Sequence, residues 1–474
     1  MAAFAWTGKG KVTFSHKQHT KPQMRAEIVC WVAESKHPFE IAHMLQDYEG
    51  DLHFATDAWT LPNHRAFIAV SVHMEFKGEP FSFILDIVEV PWSHTGYTLA
   101  EEFTKILEEF GISHKILSIT CDNASNNDVM TKELALLIDG FPSKANQMQC
   151  FLHIVNLTMK SLLKQFDVPA AHAGTAASEA EKELHDLMKG LEQEEYITEL
   201  EIGATKGSDG TDNPDDEINE IDVLNSEEEV NKLHENVKPI HLALTKVWKL
   251  AYKIIHSTTK ILPRWHKCVA ANGLNDQLML RDVATRWNST FDMLDFALQY
   301  RKTIDELTAD RNMELWEFEL REEEWNIVVQ LHDVLQILKD AMSFFSHSTP
   351  NLATVIPAMD HINHALTNGA SDPAYELSIR ALLSYAKRTL NKYYNLTDSS
   401  EVYRIAMVLH PRHKLSYFKS AEWEPEWIQT AEQIMQDEFN HSYKHVDEEI
   451  KEVEVELAQD SGAKISLADY SCTR

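Results

Sequence analysis

The sequence has few cysteines, no long apolar run and a shortage of positive charge, and each of these limits what the protein can be. Its 474 residues contain only five cysteines, an odd and scattered set. Such a set argues against a disulfide framework and for a reducing compartment. No stretch approaches the roughly 20 apolar residues that cross a bilayer. Residues 1–20 contain lysines but lack the apolar core of a secretory signal. We therefore expect no membrane segment.

Positive charge is scarce: 44 Lys and Arg residues face 74 Asp and Glu residues, a net charge of −30. Proteins that bind phosphates draw much of their affinity from Lys and Arg, so the whole chain should bind DNA poorly without sequence preference. The acidic residues are concentrated in residues 178–235 and 447–456. These stretches are typical of a solvated linker and an exposed helix or tail. A local patch elsewhere can still contact nucleic acid.

The order of predicted elements indicates the fold class. Residues 52–56, 67–74 and 81–88 predict a meander of three strands. The elements that follow are a helix over 97–110, a strand over 115–120, a helix capped by Asp128 and ending at 137, a strand over 148–151 and a helix over 153–166. With right-handed crossovers, this order predicts a ribonuclease-H-like α/β fold with a mixed five-stranded sheet. The first and fourth strands are then parallel neighbours.

Composition divides the chain into five predicted segments. They are a short N-terminal helical remnant (1–50), the ribonuclease-H-like core (51–167), an acidic flexible linker (168–237), a large all-α insertion domain (238–445) and a charged tail (446–474). The linker is rich in Ala, Gly, Ser, Asp and Glu, whereas the insertion domain has apolar residues at helical spacing.

Asp57 and Asp122 are the leading candidates for chemistry, because each is predicted to follow a strand at the same rim of the sheet. Two carboxylates about 4 Å apart repel by roughly 4 kcal/mol at an effective dielectric of 20, so divalent cations usually hold such pairs. Two Mg²⁺ or Mn²⁺ ions about 3.5–4 Å apart can activate a water or a 3′-hydroxyl to attack a phosphodiester. The alternative is that each aspartate simply caps a turn or helix.

Six short motifs occur in a characteristic order. They are FATDAWT (54–60), HTG (94–96), ITCDNASNND (119–128), CFLH (150–153), RWNST (286–290) and YRIAMVLHP (403–411). Together they resemble successive motifs of the hAT superfamily of DNA transposases. The resemblance implies that Asp57 and Asp122 are the first two members of an acidic triad that binds Mg²⁺ or Mn²⁺. It also implies a nuclear, DNA-associated protein.

The resemblance suggests roles for further residues. Cys150 and His153 match a C-x-x-H signature that helps to organise DNA near the active site; the alternative is a packed cysteine and a histidine at a helix N-terminus. A zinc site needs about four ligands, so we do not expect one here. Arg286 and Trp287 match a pair that contacts a flanking nucleotide, with a core aromatic and its solvent-side neighbour as the alternative.

Two other motif residues adjoin the candidate acids. Trp59 is expected to pack beneath the first aspartate, and Asn123 follows the second directly in the chain. His94 is expected to be a turn residue.

The sequence departs from the family pattern in its flanking parts. No Cys/His finger precedes the core, and no Ser-Glu-Arg motif, which in the family supplies the third acid, follows Pro411. We therefore expect a transposase-derived protein that is catalytically inactive or crippled and DNA-associated. We also expect one face of the sheet to be left apolar and exposed, which would favour a protein partner or a homo-oligomer.

Other functions remain open at this point. One is an active Mg²⁺-dependent transposase or nuclease whose third acid comes from another position or another chain. A second is a protein-interaction module that uses the helical domain. A 3′–5′ exonuclease on the same fold is disfavoured, because Trp59 occupies the position where such enzymes need an acid.

Overall fold

The computed structural model describes residues 37–60, 65–76, 78–90, 95–163, 223–224, 226–280, 282, 288–346, 352–397, 399–442 and 444. The chain forms two compact units, one made of residues 1–350 with 357–400 and the other of residues 351–356 with 401–474. The predicted site residues Arg286 and Trp287 lie outside the described residues, as do His94, the whole charged tail (446–474) and most of the predicted linker.

The first unit contains the predicted five-stranded mixed sheet, which confirms the fold class. Its strands are β1 (Leu52–Thr60), β2 (Ala66–Phe76), β3 (Glu79–Val90), β4 (Ile116–Cys121) and β5 (Gln147–Gln149). Their order across the sheet is β3-β2-β1-β4-β5. The β1, β2 and β3 strands pair antiparallel, whereas β4 is parallel to both β1 and β5. The two central strands therefore carry the FATDAWT and ITCDNASNND motifs.

Helices make up the rest of the first unit. They are α1 (His37–Asp47), α2 (Gly96–Glu109), α3 (Ser125–Leu137), α4 (Phe151–Leu163), α5 (Glu227–His256), α6 (Ile261–Ala271), α7 (Ser289–Gln299), α8 (Arg301–Ala309), α9 (Glu322–Phe345), α10 (Val355–Ser371, whose first two residues belong to the second unit) and α11 (Leu377–Thr397). Single turns of 3₁₀-helix cover Ser113–Lys115, Ser143–Asn146, Arg311–Met313 and Trp316–Phe318. Where the structure describes the region from α5 onward, its regular elements are all helical, as the sequence predicts.

Alternation along the strands gives the sheet one fully buried face. On β2, Ile68, Val70 and Val72 are buried, while the residues between them are partly exposed. This period of two is what a strand with one core-facing side requires. The buried face packs against α2, where the rings of Phe54 and Phe103 meet edge to face with centroids 5.8 Å apart. The core therefore fixes which residues of β1 point to the opposite face.

The helical region packs on the sheet domain within the same unit. The ring of Phe151 on α4 lies 4.4 Å from that of Phe345 on α9. Inside the helical region, Lys246 on α5 and Glu324 on α9 form a buried ion pair with an N–O distance of 2.7 Å. Burying two charges is costly unless they pair, so this contact constrains how α5 and α9 meet.

Three element boundaries differ from the predictions. Asp57 lies inside β1 and not after it, because β1 continues to pair with β2 as far as Thr60. The helix predicted to be capped by Asp128 begins at Ser125, so Asp128 lies in its first turn. Helix α5 begins at Glu227, inside the segment predicted to be linker.

The second unit is helical where it is described. It contains the 3₁₀ turn Leu352–Thr354, α12 (Val402–Leu409), α13 (Lys414–Ser420) and α14 (Pro425–Ser442). Its buried side chains include Tyr403, Met407 and Phe418. Across the described part of both units, no helix has the length and apolarity that a membrane span requires.

Candidate functional site

Asp57 and Asp122 lie at matching positions on the two central strands. The parallel ladder between β1 and β4 ends at the pair Ala55 and Thr120, and each aspartate stands two residues beyond it. Residues two apart on a strand share a face, and paired strands are spaced about 5 Å apart. The register therefore brings both aspartates to the same edge of the sheet, on the face opposite the Phe54 core.

Asp122 is held by hydrogen bonds to the start of α3. The backbone N–H of Ala124 donates to Oδ1 of Asp122 at 2.9 Å. The side-chain amide of Asn127 donates to the same oxygen. This is the turn-capping arrangement that short acidic side chains favour after a strand. Both bonds fall on Oδ1, so a cation at this site would meet Oδ2.

Cys150 caps α4. Its thiol sulfur accepts hydrogen bonds from the backbone N–H groups of Leu152 and His153, the second and third residues of the helix. Its own N–H donates to the carbonyl of Cys121 on the neighbouring strand at 2.8 Å. Helix N-termini need such acceptors, because their first N–H groups have no partner within the helix. Cys150 therefore caps the N-terminus of α4.

The pKa of Cys150 shows that both aspartates lie near this cysteine. Burial raises the pKa of the Cys150 thiol, the two backbone hydrogen bonds lower it, and the charges of Asp122 and Asp57 raise it further. Burial likewise raises the pKa of the Cys121 thiol to about 12, with the side chain of Gln147 opposing that rise. Both cysteines therefore stay protonated near neutral pH, and both aspartates lie close enough to Cys150 to act on it.

The donor set suits a hard divalent cation. Asp57 and Asp122 offer carboxylate oxygens, and the amide atoms of Asn123, Oδ1 and Nδ2, are buried with no hydrogen-bond partner in the described structure. Mg²⁺ and Mn²⁺ prefer oxygen ligands of this kind. Among the described residues, however, no group of three or more His, Cys, Asp or Glu side chains is placed to hold a metal.

The other motif residues are placed as follows. Trp59 stacks on Phe67 of β2, with ring centroids 5.8 Å apart, on the same face of the sheet as Asp57. His153 lies in the first turn of α4, and its Nε2 atom is buried. Trp59 thus lies on the same strand as Asp57 and packs against β2, and His153 lies at the N-terminus of α4, three residues after Cys150.

Two residues that the sequence reading passed over support the site. Asn127 donates a hydrogen bond to Asp122. Its place in the same motif, five residues after Asp122, is the feature of the sequence that could have indicated this contact. Gly96 begins α2 directly against α3: a Cβ there would lie 2.5 Å from the carbonyl oxygen of Asn126. Thr95 caps the same helix by accepting from the N–H of Thr98 at 3.3 Å. Thr95 and Gly96 of the HTG motif therefore begin α2 and let it pack closely on α3.

The fold is that of a ribonuclease-H-like α/β domain with an appended helical region. Residues 55–148 match the family model for the ZBED1 RNase-like domain, and residues 223–334 match that for the ZBED1 RNase-like helical domain. The first match contains Asp57 and Asp122, and the second begins just ahead of α5.

Comparison with curated proteins points the same way. The chain is similar to "Putative transcriptional regulator tpeD" of Talaromyces stipitatus, with 26% identity over 386 residues, which is 79% of this chain and 37% of that protein. It is also similar to "Putative AC transposase" and "Putative AC9 transposase" of Zea mays, each with 26% identity over 126 residues, which is 24% of this chain and 15% of those proteins. The matches support a transposase-derived, hAT-like protein. The chain spans well under half the length of these relatives.

Proposed function

We propose that this hAT-like, transposase-derived protein associates with DNA in the nucleus and that it is inactive, or nearly so, as a nuclease. One observation carries the proposal: Asp57 and Asp122 share an edge of the sheet, while Oδ1 of Asp122 is already used to hold the start of α3. Two carboxylates, with Oδ1 of Asp122 already engaged, offer too few ligands for the pair of ions that two-metal phosphodiester cleavage uses.

A single divalent cation fits this donor set better than two. Asp57, Asp122 and the amide of Asn123 would hold it, and a bound Mg²⁺ would polarise a phosphate oxygen as a Lewis acid. Asp57 and Asp122 would then hold a DNA phosphate at the sheet edge through the cation. Without the cation the two negatively charged aspartates would repel the phosphate. Nuclear residence is in keeping with the similarity to a putative transcriptional regulator and a putative transposase.

Cation binding and cleavage can be measured on the same variants. Calorimetry should detect one Mn²⁺ per chain, lost in the Asp57→Asn, Asp122→Asn double variant. Binding of one Mn²⁺ should be retained in the control variant Asp139→Asn, which removes an exposed carboxylate just after α3. Nicking of supercoiled DNA with Mg²⁺ or Mn²⁺ should be no faster for the wild-type chain than for the double variant.

Two results would contradict the proposal. Cleavage by the wild-type chain that vanishes in Asp57→Asn and persists in Asp139→Asn would establish an active nuclease instead. Equal Mn²⁺ binding by the wild-type chain and the double variant would remove the cation site altogether.

A further inference from the structure

The second unit contains a cationic segment that the sheet site does not involve. Residues 402–420 include no Asp or Glu, although the chain as a whole has a net charge of −30. They carry Arg404, Arg412, Lys414 and Lys419 together with His410 and His413.

The fold gathers the end of this segment into a compact surface, residues 409–419, here named the basic corner. Helix α12 ends at Leu409, and the N–H of His413 donates to the carbonyl of His410 at 3.1 Å, which closes a tight turn. The side chains of Arg412, Lys414 and Lys419 are exposed. All three cations therefore project into solvent from one turn and the short helix α13.

Aromatic residues alternate with the cations along the sequence of the basic corner. The rings of His410 and His413 are 4.4 Å apart and inclined by 30°. Tyr417 meets His413 edge to face at 5.4 Å. All three rings are partly exposed. Flat rings interleaved with cations are the combination with which proteins hold nucleic-acid strands, since bases stack on rings and phosphates pair with cations.

Some basic side chains of the first unit form ion pairs with carboxylates. Arg388 pairs with Glu229 at 2.9 Å and Arg264 with Asp310 at 3.1 Å. In the part of the chain that the structure describes, no ion pair involves Arg412, Lys414 or Lys419.

The titration of His413 reflects the same imbalance. Burial lowers its pKa, and the neighbouring His410 and Arg412 lower it further. Positive groups thus repel one another at the corner, and an anionic ligand would relieve this repulsion.

We propose that the basic corner binds the phosphodiester backbone of DNA, with Arg412, Lys414 and Lys419 on phosphates and the His410, His413 and Tyr417 rings against sugars and bases. This contact is independent of the aspartate pair on the sheet, so it stands or fails separately from the cation site.

Salt dependence of DNA binding tests the proposal on the full chain. The triple variant Arg412→Gln, Lys414→Gln, Lys419→Gln should lower the slope of log K against log salt by about 2 for single-stranded and about 2.7 for duplex DNA, because each lost phosphate contact removes about 0.7 or 0.9. Between about 50 and 200 mM salt, the affinity advantage of the wild-type chain should therefore shrink about 20- to 40-fold. Running both forms of DNA shows which one supplies the phosphates.

A matched control separates local contacts from net charge. The triple variant Lys267→Gln, Lys302→Gln, Arg311→Gln removes three exposed cations from the helical region of the first unit. It should leave the slope unchanged. An equal loss of slope in both triple variants would overturn the proposal, as would absence of DNA binding at low salt or equally tight binding of an acidic polypeptide.

A second readout needs no variant that could misfold. The pKa of His413, followed by NMR on the wild-type chain, should rise when a short oligonucleotide is added, because phosphate offsets the charges of His410 and Arg412. An unchanged His413 pKa at saturating oligonucleotide would rule the basic corner out as the contact.

Discussion

Replacing Gly96 with alanine should damage the contact between α2 and α3 that supports Asp122. A Cβ at Gly96 would lie 2.5 Å from the carbonyl oxygen of Asn126, 2.5 Å from Cβ of Val129 and 2.7 Å from the backbone nitrogen of Met130. Two of these atoms belong to the backbone of α3, so the helices must separate. Overpacking of this kind costs about 1–3 kcal/mol. The higher helix propensity of alanine offsets up to about 1 kcal/mol of this loss in the free energy of unfolding. A net loss of about 1–2 kcal/mol is expected.

Gly369→Ala is the matched control. Gly369 lies in α10, and a Cβ there would meet the Cδ1 atom of Leu383 at 2.7 Å, the end of a flexible side chain that can move aside. Its free energy of unfolding should change by less than about 1 kcal/mol. Urea denaturation of both variants measures the difference.

The same perturbation should reach the candidate site. Asn127, which donates to Asp122, lies in the first turn of α3 beside the atoms that Gly96 contacts. Hydrogen exchange at the amides of Ala124 and Asn127 should therefore be faster in Gly96→Ala than in Gly369→Ala. Equal stability and equal exchange in the two variants would refute the close approach of α2 and α3.

Three further predictions follow from buried groups. Lys246→Met should cost about 3–5 kcal/mol by leaving Glu324 buried without its cation, and adding Glu324→Leu should recover most of the loss in urea denaturation. Burial lowers the pKa of His241 to about 3 from 6.5. As pH falls, the His241 ring takes up a proton in the unfolded chain before it does so in the folded one. The free energy of unfolding should therefore drop by about 2–3 kcal/mol between neutral pH and about pH 4.5. The His241→Phe variant should lack this part of the pH dependence. Cys150→Ala should cost about 1 kcal/mol, whereas Cys150→Ser keeps a capping acceptor and should stay near wild type.

Much of the sheet could be predicted because its signals are local. Alternation in β2 and β3 and the strand that precedes Asp122 specify elements by their own period, and their order then gives the topology. The alignment of Asp57 with Asp122 follows from that topology, since β1 and β4 are parallel neighbours.

The boundaries that differ depend on partners distant in the chain. Asp57 is inside β1 because β2 continues to pair with it, and nothing local to residues 57–60 signals this. The start of α5 is acidic and therefore resembles linker. Its Glu227, Glu228 and Glu229 instead form a first turn capped by Ser226, where negative charge is favourable to the helix dipole.

The site shows the same division between local and tertiary causes. The C-x-x-H motif suggests a role near the DNA, which stays a prediction, whereas the capping of α4 by Cys150 follows from its position ahead of a helix. The reason for glycine at position 96 is contact with α3, which becomes visible only when both helices are in place.

Crystals soaked in Mn²⁺ test the central claim directly. An anomalous difference map should show one peak with carboxylate oxygens of both Asp57 and Asp122 about 2.1 Å away, near the distance for a hard cation of this size. The same soak of Asp57→Asn crystals should lose the peak. No peak between the two aspartates, or carboxylates more than about 10 Å apart, would contradict a shared cation site.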